Sequence, residues 1–408
     1  MFLDITPLKK YPNYRWLYTG QFFSAFGSMI SYVAIPYQVY QLTENSMIVG
    51  LLGAAQFLPM VLFSLLGGTF ADRLDRKKMM LICEAGMGIA LFLLMLNAWR
   101  SSPSVMAIFV LVIVLQSLTG FHRPAMEAIS QMLVAREDFT AMSALGSLKH
   151  SAAAIIGPSL GGVLIAGMGI QYVYLIDALT FLIAIYCIIK MSHIPAPEKS
   201  NQSSWEDLKI GIKFALSKPQ LMGTYIVDIV AMLFAFPIAL YPAMSEYWQG
   251  AKTAGYLFSA IPMGALIVTV FSGWTRNIKH KGKMVVYAAV FWGMSIALAG
   301  HFTGEHSNDM TALVFVLLFI ALAGGADMIS GIFRGVIWNE TIPNNIRGRL
   351  SGIEMISYMS GPLLGNIRAG TMAEQFSVSF SLTFGGYCCV IAVILTAFFL
   401  PTFWKYQS

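Results

Sequence analysis

The segment GTFADRLDRKKMM (residues 68–80) is a short, highly charged break between two long apolar runs. A weaker version, GWTRNIKHKGKMV, occupies residues 273–285. Two apolar motifs repeat in the same way: QFLPM (56–60) returns as SAIPM (259–263), and GPSLGG (157–162) returns as GPLLGN (361–366). The offsets of 205, 203 and 204 residues are half of the 408-residue chain. The sequence therefore predicts two structurally equivalent halves.

The apolar runs are too long and too numerous for a soluble protein. Charged residues make up only 11% of the chain, whereas soluble domains carry about 25%. One bilayer span needs about 20 apolar residues. We therefore predict an all-α membrane protein with twelve transmembrane helices, at residues 15–41, 45–71, 77–98, 104–134, 139–168, 171–191, 219–248, 253–275, 283–301, 310–340, 346–373 and 377–400.

The basic residues indicate how the chain crosses the membrane. If the N-terminus is cytoplasmic, twenty of the 26 lysines and arginines fall in cytoplasmic segments, as expected because basic loops resist translocation. Both termini are then cytoplasmic. Because topology explains the net charge of +6, we expect no nucleic-acid partner.

The longest polar connection lies at the middle of the chain. We predict a six-helix bundle over residues 1–191, a cytoplasmic linker over 192–217 and a second six-helix bundle over 218–408. Within the linker, apolar residues at helical spacing alternate with lysines, which predicts an amphipathic helix on the anionic membrane surface; these residues are Trp205, Leu208, Ile212 and Leu216.

Several of these segments resemble the major facilitator superfamily. The loop at 68–78 is similar to its signature loop, and GPSLGG resembles the antiporter motif of its drug and proton exchangers. FHRPAMEAISQMLV (121–134) is similar to the branch that contains macrolide and siderophore exporters, and LYPAMSEYW (240–248) resembles the exporters of enterobactin-type siderophores. The resemblance implies two pseudo-symmetric bundles, with helices 1, 4, 7 and 10 lining a central cavity.

The resemblance also implies roles for two motifs. Asp72, Arg73 and Arg76 would form gating charge pairs that break between transport states; the alternative is that the basic residues only set topology and bind lipid. Small residues on one face of helix 5 predict a close helix-packing seam, which we assign to Gly157, Pro158, Gly161 and Gly162.

Besides the charges in the terminal turns, ten charged residues lie inside the predicted helices. Each costs at least about 2.5 to 3.5 kcal/mol at a helix centre, so such residues face a cavity or a partner. We predict substrate contacts at Arg123, Glu127, Asp327 and Arg334, where the arginines would hold anionic oxygens; structural ion pairs are the alternative. Arg123 and Glu127 are one turn apart and are expected to pair with each other.

Asp228 has no evident base nearby in sequence, which makes it the first candidate for proton coupling, followed by Asp327 and Glu127. The alternative is that Lys149, or another cation from another helix, pairs with Asp228 and keeps it ionised. Glu84, Glu354 and Arg368 are expected near helix ends. His122 is expected to be isolated, so we predict no metal site.

These observations predict a secondary transporter that exports a small amphiphilic or anionic compound, a siderophore first and an antibiotic second, in exchange for protons. The polar segments hold no catalytic constellation and no phosphate-binding loop, so we predict neither an enzyme nor an ATP-driven pump. The expected partners are the substrate, protons and membrane lipid. We expect a monomer in a bacterial cytoplasmic membrane, with no cofactor besides the proton gradient. A symporter that imports a siderophore or nutrient, and a lipid flippase, are the alternatives.

Overall fold

The computed structural model describes residues 4–71, 74–192, 213–304, 309–343 and 347–407, and its regular structure is helical. Twelve of its helices have 17 residues or more. They are α1 Pro12–Thr43, α2 Ser46–Ala71, α3 Arg76–Ala98, α4 Val105–Leu133, α5 Phe139–Met168, α6 Ile170–Lys190, α7 Pro219–Ala235, α8 Ala251–Val270, α9 Lys281–His301, α10 Met310–Thr341, α11 Arg347–Gln375 and α12 Val378–Phe399.

These helices confirm the predicted fold class of a helical, multi-span membrane protein. Ten of the described helical segments are long and apolar enough to cross a bilayer. The two long helices outside that set are α1 and α11, which are the most polar of the twelve over much of their length. α1 carries glutamines along an otherwise apolar run, and α11 begins with two arginines and contains Glu354 and Arg368.

The seventh helix is shorter than predicted. The sequence predicted one helix over 219–248, but α7 ends at Ala235 and the chain continues as a short 3-10 turn and the helix Tyr241–Ser245. Pro237 explains the break, because a proline disfavours the helical conformation at the residue before it. Phe236 accordingly has an extended backbone.

The chain divides into two compact units. The first comprises residues 1–43, 54–201 and 251–259, and the second comprises 44–53, 202–250 and 260–408. In the first unit α1 packs on α5 and α6, and α3 packs on α4 and α6. In the second unit α9 packs on α10 and α12, and α7 packs on α11 and α12. The predicted linker helix falls largely at 193–212, outside the described residues.

Several of the described helices begin at a side-chain N-cap. The Asp75 carboxylate starts α3 by accepting hydrogen bonds from the backbone N–H groups of Lys77 and Lys78, at 2.9 and 3.1 Å. Ser104, Asp309 and Ser377 cap α4, α10 and α12 in the same manner. Such a cap satisfies an otherwise unpaired donor and contributes about 1 kcal/mol. The charged break at 68–80 therefore also fixes where the third helix starts.

Candidate functional site

Three charged side chains meet inside the second unit. Arg334 of α10 contacts the Asp228 carboxylate of α7 through Nη1, and its Nη2 lies 3.4 Å from Oδ1 of Asp327, two turns away on α10. Asp228 and Arg334 are buried, whereas the Asp327 side chain is 37% exposed. One guanidinium therefore lies between a buried acid and an accessible one.

This charge cluster borders a cavity of about 330 Å³. The cavity is lined by the three charged residues and by mostly apolar side chains: Met232, Phe236, Ile261, Trp292, Gly331, Trp338 and Pro362. Aromatic and apolar walls with a few convergent polar groups are typical of a small-molecule site. Trp338 is held in place by donating a 2.8 Å hydrogen bond to Thr224 on α7.

The expectation that Asp228 lacks a cation is wrong, because Arg334 reaches it from α10. The alternative stated for it, pairing with a cation from another helix, describes the structure. The seven-residue spacing of Asp327 and Arg334 places both side chains on one face of α10. Arg334 Nε is buried and has no hydrogen-bond partner among the described residues, so the guanidinium keeps spare donor capacity.

Arg123 and Glu127 form the expected intrahelical pair on α4. Arg123 Nε lies 3.2 Å from the Glu127 carboxylate, and the two side chains are 58% and 57% exposed. His150 of α5 lies within electrostatic reach of its neighbour Lys149 and of Arg123. The ammonium of Lys149 lies 5.8 Å from the centre of the Tyr18 ring. The first unit thus presents the exposed guanidinium of Arg123 on α4 and the partly exposed ammonium of Lys149 on α5.

A second buried charge cluster lies in the first unit. Oε1 of Glu84 on α3 accepts a 2.7 Å hydrogen bond from Gln21 on α1 and lies 2.9 Å from Nε2 of His122 on α4. Glu84 is fully buried, so its expected position near a helix end is wrong, and His122 is not isolated. The spacing of buried Met80, Glu84 and Met87 on one face of α3 is the sequence signal that would have indicated this.

Another buried acid, Asp177, lies on α6 of the same unit. Its carboxylate lies 3.4 Å from the hydroxyl of Thr180 one turn away. Gly27 of α1 faces both residues so closely that a β-carbon there would overlap them. On α11 of the second unit, Arg368 is half-buried rather than at a helix end, and its Nε donates a 3.1 Å hydrogen bond to the Leu233 carbonyl of α7.

The signature loop is described only in part. Asp72 and Arg73 lie outside the described residues. Arg76 donates to the sulfur of Met132 at 3.0 Å. The neighbouring Lys77 donates to the carbonyl of Met191 at 2.6 Å, just beyond the last turn of α6. The carbonyl end of a helix is partially negative and therefore favours a cation at this position.

The glycines of the GPSLGG motif lie at close helix contacts within the first unit. Gly157 and Gly161 face Met29 and Ile30 of α1, and Gly162 faces Ala251 and Gly255 of α8. A β-carbon at any of these three glycines would come within 3.0 Å of the neighbouring helix. The hydroxyl of Ser159 on α5 also forms a 2.8 Å hydrogen bond with the hydroxyl of Ser259 on α8. Pro158 is buried in the same helix.

Comparisons with known proteins identify the family. Residues 4–406 match the family model described as "Transmembrane secretion effector". The enterobactin exporter EntS of Salmonella typhimurium strain LT2 is 26% identical over 398 residues, which cover 96% of this chain and 93% of the relative. EntS of Shigella boydii serotype 4 is 25% identical over the same shares of the two chains.

Solved structures show the same fold at lower identity. The nucleoside transporter NupG has a TM-score of 0.74 and 16% identity, over 97% of this chain and 99% of its own. A bacterial homologue of the iron transporter ferroportin has a TM-score of 0.69 and 15% identity, over 97% and 99%. The fold prediction is therefore confirmed, and so is the prediction that the chain is not an enzyme, because its relatives are transporters. This chain belongs to the transmembrane secretion effector family of the major facilitator superfamily and is a multi-span membrane transporter.

Proposed function

We propose that this transporter exports a siderophore of the enterobactin kind in exchange for protons, by alternating access of its two six-helix halves. Its similarity to enterobactin exporters along 96% of the chain supports both the export direction and the substrate class. The proposed setting is a bacterial cytoplasmic membrane with both termini in the cytoplasm. One chain is the transporting unit, and the proton gradient is the energy source.

The observation that carries the proposal is the position of Arg334 between two unequal acids. Arginine remains protonated at every physiological pH, so the guanidinium always needs a carboxylate. In the structure it contacts buried Asp228 and lies at the edge of hydrogen-bond range from Asp327. Asp327 is therefore left accessible at the cavity, where its oxygens can accept hydrogen bonds from hydroxyl or amide groups of a substrate.

A proton on Asp228 reverses this arrangement. Neutral Asp228 loses its charge attraction to Arg334, and the guanidinium then turns to the remaining carboxylate, Asp327. The resulting Arg334–Asp327 pair occupies the group that held the substrate, so the substrate leaves. Proton and substrate thereby exclude each other at one cluster, which is the requirement for exchange in opposite directions.

Arg123 supplies a separate contact for an anionic substrate oxygen. Its side chain is 58% exposed, and its partner Glu127 is equally accessible, so the pair can open at little cost. His150 lies within electrostatic reach of Arg123, and its sequence neighbour Lys149 adds positive charge nearby. We therefore assign Arg123 to anion binding and give Arg334 the switching role, while Glu127 is the group that Arg123 leaves when the substrate binds.

Transport by purified protein in proteoliposomes tests the proposal. A pH gradient imposed across the membrane is expected to drive enterobactin opposite to the proton flow. Asp228→Asn is expected to abolish this gradient-driven movement. Asp309→Asn is the matched control, since it removes a carboxylate from the same unit and keeps an N-cap at the start of α10, and it is expected to transport normally.

Each contrary result identifies a different error. Full gradient-driven transport by Asp228→Asn would show that Asp228 does not carry the proton. Wild-type movement of enterobactin in the direction of the proton flow would show symport and hence import. Wild-type protein that moves no enterobactin with the pH gradient imposed in either direction would refute the substrate assignment.

A further inference from the structure

The Glu84 cluster of the first unit brings a buried carboxylate and a buried imidazole together. Glu84 is 0% exposed and His122 is 7% exposed, and the imidazole Nε2 lies 2.9 Å from the carboxylate Oε1. Histidine is the side chain that ordinarily changes charge between about pH 5 and 8. A buried carboxylate that is paired with a base able to lose its charge differs from one that is held by an arginine.

The other groups around Glu84 do not fix its charge. Gln21, from α1, is neutral and donates to the same oxygen, Oε1, at 2.7 Å. From α6, the ionisable neighbour within electrostatic reach is the acid Asp177, and on α3 itself it is the thiol of Cys83. None of these is a cation, so within the described residues the positive charge at Glu84 comes from His122.

The second carboxylate oxygen is free to hold a proton. Oε2 of Glu84 is buried and has no hydrogen-bond partner among the described residues. An ionised oxygen in that position lacks the donors that normally compensate a buried charge. A proton bound there as a carboxylic acid O–H removes the charge without displacing Gln21 from Oε1.

We infer that Glu84 and His122 form a proton-binding site in the first unit, separate from the Asp228–Arg334–Asp327 cluster. With one proton on Oε2 of Glu84 the pair is neutral overall, as a carboxylic acid beside a neutral imidazole. Release of that proton to water leaves a carboxylate and a neutral imidazole, with a net charge of −1. No other bond forms or breaks.

Burial links this proton to the conformation of the unit. A net charge is costly where the cluster is closed and much cheaper where water reaches it. The closed cluster therefore retains its proton, and any conformation that admits water to α1, α3 and α4 releases it. If the transporter exchanges substrate for protons as proposed above, this site adds a second proton to the cycle.

Infrared difference spectroscopy of the purified, membrane-reconstituted transporter tests the inference without requiring transport. Spectra are recorded between about pH 5 and 8, the range in which histidine titrates. Wild-type protein is expected to show a carboxylic-acid band that disappears as the pH rises and that shifts when glutamate is labelled with carbon-13. Exposed glutamates titrate near pH 4.3, so they are already ionised in this range and contribute little to the carboxylic-acid band.

Two variants assign the band. Glu84→Gln is expected to lose it, whereas Asp177→Asn, which removes a similarly buried acid of the same unit, is expected to retain it. His122→Gln is expected to lose the imidazole bands that change together with the carboxylic-acid band. Identical spectra for wild type and Glu84→Gln would overturn the inference. If Glu84→Gln does not fold, the absence of a glutamate-labelled band in the wild type would do so instead.

These outcomes are separate from those of the transport experiment. A wild type that shows the Glu84 band but no gradient-driven transport refutes the proposed function and leaves the proton site standing. A wild type that transports normally but shows no such band refutes the proton site alone.

Discussion

The two units solve the problem of a buried carboxylate in different ways. In the second unit, Asp228 is paired with Arg334, a permanent cation, at the wall of a cavity. In the first unit, Glu84 is paired with His122, a base that can lose its charge, and is fully buried. A permanent cation can only be passed from one acid to another, whereas a titratable base allows the net charge of its cluster to change.

The comparison predicts that removing the permanent cation has the largest effect. Arg334→Met leaves Asp228 buried without a cation and is expected to cost about 3 to 5 kcal/mol of unfolding free energy, the usual result of breaking a buried ion pair from one side. Asp228→Asn is expected to cost less, because Arg334 keeps Asp327. Denaturant unfolding in detergent micelles measures both, and equal losses would contradict the sharing of Arg334 between two acids.

Removing a neutral donor from the Glu84 cluster is expected to have an intermediate effect. Gln21→Leu deprives the buried Glu84 carboxylate of its 2.7 Å hydrogen bond and is expected to cost about 1 to 3 kcal/mol. Gln41→Leu is the matched control, since Gln41 lies on the same helix and is exposed. The same unfolding measurement checks the pair, and a Gln21→Leu cost no larger than that of Gln41→Leu would show that the cluster contributes little to stability.

The cavity beside Arg334 predicts a smaller effect on stability and a clear one on binding. Gly331 lines the cavity, and an added β-carbon would meet only the Arg334 guanidinium, at 3.9 Å. Gly331→Ala is therefore expected to be neutral or to stabilise α10 by up to about 1 kcal/mol. Gly331→Leu is expected to fill the cavity and weaken enterobactin binding, as measured by a ligand-induced thermal shift.

Gly335 provides the control for that experiment. It lies one turn along α10, has open space around it and does not line the cavity, so Gly335→Leu is expected to bind enterobactin normally. Equal binding by the two leucine variants would show that the substrate does not enter this cavity.

The smallest effect is expected for the contacts of Asp138 with Lys10 and Tyr11 near the protein surface. Hydrogen bonds from Tyr11 and Lys10 hold the pKa of Asp138 below its usual value. This carboxylate therefore contributes stability above the unfolded pKa of about 3.9, and the contribution is lost as the pH falls through the lower folded value. Asp138→Asn is expected to reduce stability slightly at neutral pH and not at strongly acidic pH. Unfolding curves at both pH values check this, and a loss at acidic pH alone would contradict it.

The sequence was sufficient for the fold and for the charges that share one helix. Hydropathy and charge distribution predicted the helices because each span is a local property of about 20 residues. The Arg123–Glu127 pair followed from helical spacing in the same way. The Arg334–Asp228 contact did not, because it joins residues 106 positions apart on two helices, and no local pattern specifies how those helices are rotated.

The Glu84 cluster was missed for a related reason. An acid eight residues inside α3 can point to an interface or into the protein, and only the side chains of α1 and α4 decide between these. The buried methionines on the same face of α3 indicated that Glu84 points into the protein. The N-cap role of Asp75 was available in the sequence, because an acid just before a helical run is a typical start signal.

The central claim is that a proton on Asp228 and a substrate at Asp327 exclude each other through Arg334. The affinity of the purified transporter for enterobactin, measured as a function of pH, tests it most directly. The wild type is expected to bind more tightly as the pH rises, by up to about tenfold per pH unit, the slope of one linked proton. Asp228→Asn, which mimics the protonated acid, is expected to bind weakly at every pH. An Asp228→Asn variant with the affinity and the pH dependence of the wild type would contradict the account.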